Sequence, residues 1–95
     1  MPKMTKSPEA FVKATLKVAK ERLANYSHPK SPHKFTQPQL LAILALKDFM
    51  KQDYRGIIAV LRDWPQMRQL LGLKHLPHYS TLYYAHRRLL KKKAS

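Results

Sequence analysis

The sequence predicts a small all-α domain of about five helices. Three observations favour this class. Apolar residues recur at spacings of three and four, and no stretch alternates between apolar and polar residues for long enough to form a strand. Residue types that favour helix N-termini, such as Ser, Thr, Asp and Pro, precede the apolar stretches. At 95 residues and 44% hydrophobic content, the chain can form one core that buries ~60–65% of its unfolded surface.

The first predicted helix begins after Ser7, which is a favourable N-cap, with Pro8 at the first helical position. Proline residues and the absence of apolar residues over 27–33 predict that the helix ends near Tyr26. Residues 1–33 are therefore interpreted as a basic N-terminal helix and a Pro-rich linker. The apolar stripe of this helix comprises Val12, Leu16, Ala19, Leu23 and Tyr26, and Lys13, Lys17 and Lys20 lie on another face.

The second predicted helix begins at or just after Thr36. From Leu40 to Met50 it is apolar on nearly every side. A helix of that kind is surrounded by other elements, so we expect it at the centre of the core.

Two short helices follow. Asp53 can cap the third, which carries inward-facing apolar residues from Ile57 to Leu61, and Pro65 begins the fourth. Gly56 inside the third helix costs about 1 kcal/mol relative to Ala. Close packing of another helix is one explanation for it, and an incidental glycine is the other. Gly72 is placed to end the fourth helix in the left-handed conformation, with Leu73 supplying the accompanying apolar contact.

The last predicted helix has Ser80 as its best N-cap. At about 100° per residue its apolar and basic–aromatic residues separate onto opposite faces. An apolar third helix followed by this capped helix is typical of a helix-turn-helix over residues 34–90, with a basic tail over 91–95. The inner face comprises Leu82, Ala85 and Leu89, and the outer face comprises Tyr83, Arg87 and Lys91, flanked by Tyr84 and Arg88.

The net charge of +14 predicts a polyanionic partner. Positive charge is concentrated at the two ends: residues 1–34 hold eight basic and two acidic residues, and residues 80–95 hold five basic and none acidic. Arginines can bind guanine bidentately, tyrosines can contact thymine methyl groups or phosphate, and a helix N-terminus favours phosphate. We therefore expect double-stranded DNA to be the partner. The predicted DNA-binding residues are Arg55, Ser80, Thr81, Tyr83, Tyr84, Arg87, Arg88 and Lys91.

Other functions fit the sequence less well. Five histidines occur without cysteine, and no set of residues has the spacing of a tetrahedral metal site, so no metal or cofactor is expected. A basic helical module that binds RNA, a protein or an anionic membrane remains the alternative; membrane binding requires the stripe of the first helix to be exposed. The lack of cysteine and of a long apolar run favours a cytoplasmic protein.

Four sequence blocks, in order, resemble the N-terminal region of DDE-type insertion-sequence transposases. In that family an F-x-x-x-Q-L helix, an S-Y-R helix start, a G-L turn and a P-x-x-S-T-L helix start precede the catalytic domain. The corresponding stretches here are Phe35–Ala42, Asp53–Ile57, Leu70–Leu73 and Pro77–Leu82, and Leu46–Met50 belongs to the same resemblance. The resemblance covers about residues 34–90.

The resemblance implies a helix-turn-helix that binds the terminal inverted repeats of a mobile element in the prokaryotic nucleoid, and it allows a homodimer. It also implies a downstream domain whose three carboxylates hold Mg²⁺ and cut DNA. The five acidic residues of this chain are interpreted as helix caps or solvated positions, so no such centre can be assembled from them. We therefore expect a truncated product or an excised domain without enzymatic activity.

Overall fold

A computed structural model describes residues 7–23 and 34–90. These residues form five helices and no strand, so the all-α prediction is confirmed. The helices are α1 (Pro8–Arg22), α2 (Gln37–Phe49), α3 (Tyr54–Arg62), α4 (Pro65–Leu71) and α5 (Tyr79–Leu90).

α1 begins as predicted and ends earlier than predicted. Ser7 Oγ accepts a hydrogen bond from the amide of Ala10 at 3.2 Å, which satisfies one of the free donors of the first turn. The helix ends at Arg22, and Leu23 is its extended C-cap, with its N–H bonded to Ala19 O at 2.8 Å. Leu23 is thus not a helical residue, while Tyr26 and the predicted linker lie outside the described residues.

α2 is the central helix, as its all-round apolar sequence predicts. It packs against α1, α3 and α5. A capping box begins it: Thr36 Oγ1 accepts from the amide of Gln39 at 3.1 Å, and Gln39 Oε1 accepts from the amide of Thr36 at 2.8 Å.

A tight turn joins α2 to α3. Lys51 adopts a positive φ of 56°, and the amide of Gln52 donates to Lys47 O at 2.9 Å, which closes the C-terminus of α2. Asp53 then caps α3 by accepting from the amide of Gly56 at 2.6 Å. A Cβ at Gly56 would lie 2.9 Å from Asp53 Oδ1 and would also meet Gln52. Close packing of another helix is therefore the wrong explanation for Gly56: the nearest atoms belong to Gln52 and to the cap residue Asp53, at the start of the same helix.

α4 begins at Pro65 and ends at Gly72, as predicted. Gly72 has φ 73° and ψ 27°, and the amides of Gly72 and Leu73 donate to Gln69 O at 3.0 Å and Arg68 O at 2.9 Å. This left-handed end satisfies two carbonyls of the last turn of α4.

One core joins α1 to the later helices. Val12, Leu16 and Ala19 of α1 are 0%, 7% and 2% exposed, and α1 contacts both α2 and α4. The segments 1–33 and 34–90, divided in the sequence by the Pro-rich stretch, therefore contribute to the same core. Its buried members are Val12, Leu16, Leu40, Ala42, Ile43, Leu44, Leu46, Ile57, Leu61, Met67, Leu71, Leu82 and Ala85.

Candidate nucleic-acid interface

The N-terminus of α5 is capped by a histidine rather than by the predicted serine. α5 begins at Tyr79, and the carbonyl of His78 accepts from the amide of Thr81 at 2.9 Å. His78 Nδ1 lies 3.2 Å from the amide of Ser80 and accepts from it. The prediction of Ser80 as N-cap is wrong by two residues, because the imidazole supplies the acceptor. Ser80 and Thr81 instead lie half-buried in the first turn.

The inner face of α5 is fixed against the core. Leu82 and Ala85 are fully buried, and Leu89 is half-buried against the same cluster. α5 packs on α2 and on α3 through this face. Because two neighbouring helices hold one side of α5, the rotation of the helix about its axis is set, and so is the surface that it presents.

The outer face of α5 is exposed, as predicted. Tyr83 is 42% exposed and Tyr84 60% exposed. Their rings meet edge to face at 5.3 Å, and the Arg87 guanidinium carbon lies 5.8 Å from the centroid of the Tyr83 ring. Arg87 is exposed beside them. This surface offers planar and cationic groups that are not consumed by contacts with the core.

Tyr54 of α3 supports this face from behind. Its hydroxyl is 2.6 Å from His86 Nδ1, in a partly buried hydrogen bond between α3 and α5. Its ring meets that of Tyr83 edge to face at 6.0 Å. Lys47 Nζ of α2 lies 5.0 Å from the centroid of the Tyr54 ring. Tyr54 therefore connects three helices directly beneath an exposed tyrosine.

Arg55 is held at the N-terminal end of α5. Its Nη2 donates to the Tyr79 hydroxyl at 2.8 Å, and its guanidinium carbon lies 4.2 Å from the centroid of the Tyr79 ring. The imidazole of His78 lies on the same tyrosine, with ring centroids 4.3 Å apart. The structure thus brings Arg55, predicted from α3, next to the first turn of α5.

The remaining predicted residues differ in their surroundings. Arg88 is exposed, yet its Nε donates to Gln37 Oε1 at 3.4 Å, so it turns toward the N-terminus of α2. Lys91 lies outside the described residues. Of the two arginines on α5, Arg87 is the one beside the exposed tyrosines.

The described parts of the chain contain no group of three or more His, Cys, Asp or Glu residues that could hold a metal ion. Among those same residues, no helix combines the length and apolar character needed to cross a bilayer. Of the apolar stripe predicted for α1, Val12, Leu16 and Ala19 are buried in the core, and α1 packs on α2 and α4. Leu23 is half-buried beyond the end of the helix, and Tyr26 lies outside the described residues. Val18, which is not part of the predicted stripe, is 53% exposed.

Tyr79 and Tyr54 were missed as members of this surface. A sequence signal exists for Tyr79, because Tyr79, Tyr83 and Arg87 follow one another at intervals of four and so lie on one face of α5. No comparable signal exists for the pairing of Arg55 with Tyr79 or of Tyr54 with His86, since each pair is separated by 24 residues or more.

Comparisons with protein-family models, with curated proteins and with solved structures gave no match to this chain.

Proposed function

We propose that this domain binds duplex DNA sequence-specifically, with α5 in the major groove and α3 packed behind it. α3 would play the part of the supporting helix of a helix-turn-helix, with α4 and a loop between the two helices along the chain. The observation that carries the proposal is the division of α5 into a buried face and an exposed face. Leu82 and Ala85 fix the helix, while Tyr83 and Arg87 remain available to base edges. A recognition helix requires this combination of fixed orientation and free polar groups.

Charge supports the same proposal. The chain carries +14 overall. Arg87 projects beside Tyr83, and its fork of donors matches guanine O6 and N7. Arg55 lies at the N-terminal end of the same helix, where a phosphate contact would fix the position of α5 without specifying sequence.

Residues 34–90 resemble the N-terminal region of insertion-sequence transposases, and this resemblance suggests which DNA the domain binds. The DNA site would be the terminal inverted repeat of a mobile element. The chain would act there as a DNA-binding part or a truncated product of a transposase, and the DNA-cutting chemistry would belong to a separate catalytic domain.

The alternatives receive unequal support. Binding to a membrane surface needs an exposed apolar stripe on α1, and Val12, Leu16 and Ala19 are buried. RNA binding shares the electrostatics of DNA binding. The major groove of an RNA helix is too narrow for a helix to enter, so a face built on a single exposed helix favours duplex DNA.

The proposal is tested by comparing Arg87→Ala with Lys92→Ala on two duplexes, one selected from a random pool for tight binding and one scrambled. Arg87→Ala should lose about 1–3 kcal/mol on the selected duplex and little on the scrambled one. Lys92→Ala, in the basic tail, should weaken binding to both about equally. Lys13→Ala removes the same charge from an exposed position on α1, which packs on α2 and α4, and so controls for net charge.

Three outcomes would contradict the proposal. Failure of the wild-type chain to prefer any duplex over its scrambled counterpart would remove sequence recognition. Equal losses on both duplexes for Arg87→Ala would remove α5 as the recognition helix. Tighter binding to a matched RNA hairpin than to the selected duplex would favour the RNA alternative.

A further inference from the structure

A cleft of about 540 Å³ separates the exposed side of α3 from the segment that leads into α5. Its apolar lining consists of Ile58, Leu76 and Pro77, of which Pro77 is buried and the other two half-buried. Arg55, Arg62 and His78 also line it, and all three are exposed. None of the described residues that line the cleft is acidic, so it suits a ligand that is anionic along its edge and apolar toward the floor.

The two arginines of the cleft are seven residues apart on α3. That separation is two helical turns, a rise of about 10 Å along the axis, and places both on one side of the helix. One strand of DNA carries a phosphate about every 3.4 Å of helix axis. With α3 lying along the DNA, Arg55 and Arg62 would contact two phosphates of one strand that are not adjacent, and the sugars between them would face the floor.

Arg55 is preorganised for such a contact. One nitrogen of its guanidinium is used by the Tyr79 hydroxyl, at 2.8 Å, and its plane is supported by the Tyr79 ring at 4.2 Å. The guanidinium has five N–H donors, so most of them stay available. Fixing the side chain before binding reduces the rotamer entropy that a phosphate contact would otherwise cost.

The other end of the cleft is also held in place. Arg68 Nη1 donates to the carbonyls of Leu61, at 2.7 Å, and Arg62, at 2.5 Å, and thereby ties α4 to the last turn of α3. Arg62 thus extends from a helix end that is anchored through its backbone. Both cations of the cleft lie on elements whose positions are fixed by interactions inside the domain.

We propose that this cleft binds the sugar–phosphate backbone of one DNA strand beside the bases that α5 contacts. The inference rests on the proposed function. Arg55 and Arg62 bind phosphates, the floor of Ile58, Leu76 and Pro77 packs against deoxyribose, and Tyr79 acts as a positioning residue for Arg55. The cleft would supply affinity that is independent of sequence and would fix the register of α5 along the groove.

The experiment combines protein variants with neutral phosphates. Single methylphosphonate linkages, which remove one backbone charge, are placed in turn along both strands of the selected duplex. Wild type, Arg55→Gln, Arg62→Gln and the control Lys13→Gln are titrated against each duplex. For wild type and for Lys13→Gln, we expect two non-adjacent positions on one strand to lower affinity about two- to tenfold, the range from an exposed ion pair to a charge-assisted hydrogen bond.

The proposal is decided by whether each arginine variant removes the effect of one particular neutral linkage. Arg55→Gln should abolish the loss at one of the two positions, and Arg62→Gln should abolish it at the other. Each variant should also reduce the slope of log K against log salt by about 0.9. Tyr79→Phe as a single substitution should weaken DNA binding. In a chain that already carries Arg55→Gln, the same substitution should have no further effect. Losses that simply add at every position would overturn the proposal.

The two proposals fail in different ways. If the selected duplex is preferred and Arg87→Ala removes that preference while the methylphosphonate losses stay additive, the cleft does not bind the backbone and α5 still recognises DNA. If no duplex is preferred by the wild-type chain, the proposed function itself fails. If Lys13→Gln abolished the loss of affinity at one methylphosphonate position as fully as Arg62→Gln does, the assignment of that phosphate to the cleft would also be overturned.

Discussion

Gln39 stabilises two helix ends at once, and replacing it should show how much the junction of α2 and α4 contributes to the fold. Its Oε1 accepts from the amide of Thr36 at 2.8 Å and completes the capping box of α2. Its Nε2 donates to the carbonyls of Leu71 and Gly72, both at 3.0 Å, at the C-terminus of α4. The side-chain amide thus uses its acceptor on one helix and both of its donors on the other.

Gln39→Glu separates these two functions. A carboxylate keeps the acceptor for Thr36, as in a capping box with Glu, but cannot donate to Leu71 O or Gly72 O. Each lost hydrogen bond costs about 0.5–1.5 kcal/mol, and the negative charge is placed against the carbonyl end of a helix. We expect a loss of about 2–3 kcal/mol in the free energy of unfolding. Gln39→Ala should cost a similar amount, because it also removes the capping bond.

Urea unfolding followed by far-ultraviolet circular dichroism measures this free energy. A loss of 2 kcal/mol corresponds to a decrease in Tm of roughly 10 °C for a domain of this size. Gln69→Glu is the matched control. Gln69 is exposed in the last turn of α4, so this substitution introduces the same charge near the same helix end without removing the bonds made by Gln39. If Gln39→Glu and Gln69→Glu agree within about 0.5 kcal/mol, the two carbonyl bonds do not stabilise the fold and the reasoning is refuted.

The left-handed residues, the packing of α1 and the net charge each give further expected outcomes. Gly72→Ala should cost about 1–2 kcal/mol because φ is 73°, whereas Lys51→Gly, at φ 56°, should stabilise by about 0.5–1 kcal/mol. The same urea assay checks both, and a stabilising Gly72→Ala or a destabilising Lys51→Gly would contradict this reasoning. Deletion of residues 1–30 should lower the unfolding free energy by about 3–5 kcal/mol through loss of the buried apolar side chains of α1, while residues 34–90 stay helical; complete loss of ellipticity would refute this. With roughly 4–6 phosphate contacts, log K for duplex DNA should fall against log salt with a slope of about −4 to −5, and a flat profile would contradict the electrostatic argument.

Much of the fold followed from local sequence signals. Thr36, Asp53, Pro65 and Gly72 begin or end helices where their side chains or backbone preferences predict it. These signals act within a few residues, so they can be interpreted without tertiary structure. The inner face of α5 followed from its spacing for the same reason.

Other features could not be predicted, either because they depend on contacts between distant residues or because a residue adopts a conformation or a capping role that its type does not favour. Gln39 joins α2 to α4 across 32 residues, and nothing in the sequence near Leu71 indicates that its carbonyl is bound by a side chain. Lys51 adopts a left-handed conformation that its residue type disfavours, because the C-terminus of α2 and the Asp53 cap lie only a few residues apart. His78 is not among the preferred N-cap residues, so Ser80 gave the stronger but misleading signal.

The candidate interface likewise contains residues that could be predicted from local sequence and contacts that could not. Tyr83, Tyr84 and Arg87 were placed on one exposed face from spacing alone. Arg55 was expected to contribute from α3, but its fixation by Tyr79 became evident only in three dimensions. Sequence periodicity identifies which residues share a face of one helix, and only the packing of α3 against α5 shows which faces adjoin.

The most direct test of DNA binding through α5 is a nuclear magnetic resonance titration of the isotope-labelled full chain with the selected duplex. Backbone amides and arginine side-chain N–H groups report which surface the DNA contacts. If α5 recognises DNA, the largest shift changes should occur at Tyr83, Arg87 and Arg55, with small changes along the exposed face of α1 and a weaker, more uniform pattern on the scrambled duplex. Changes concentrated on α1, or identical patterns with the two duplexes, would contradict DNA recognition through α5.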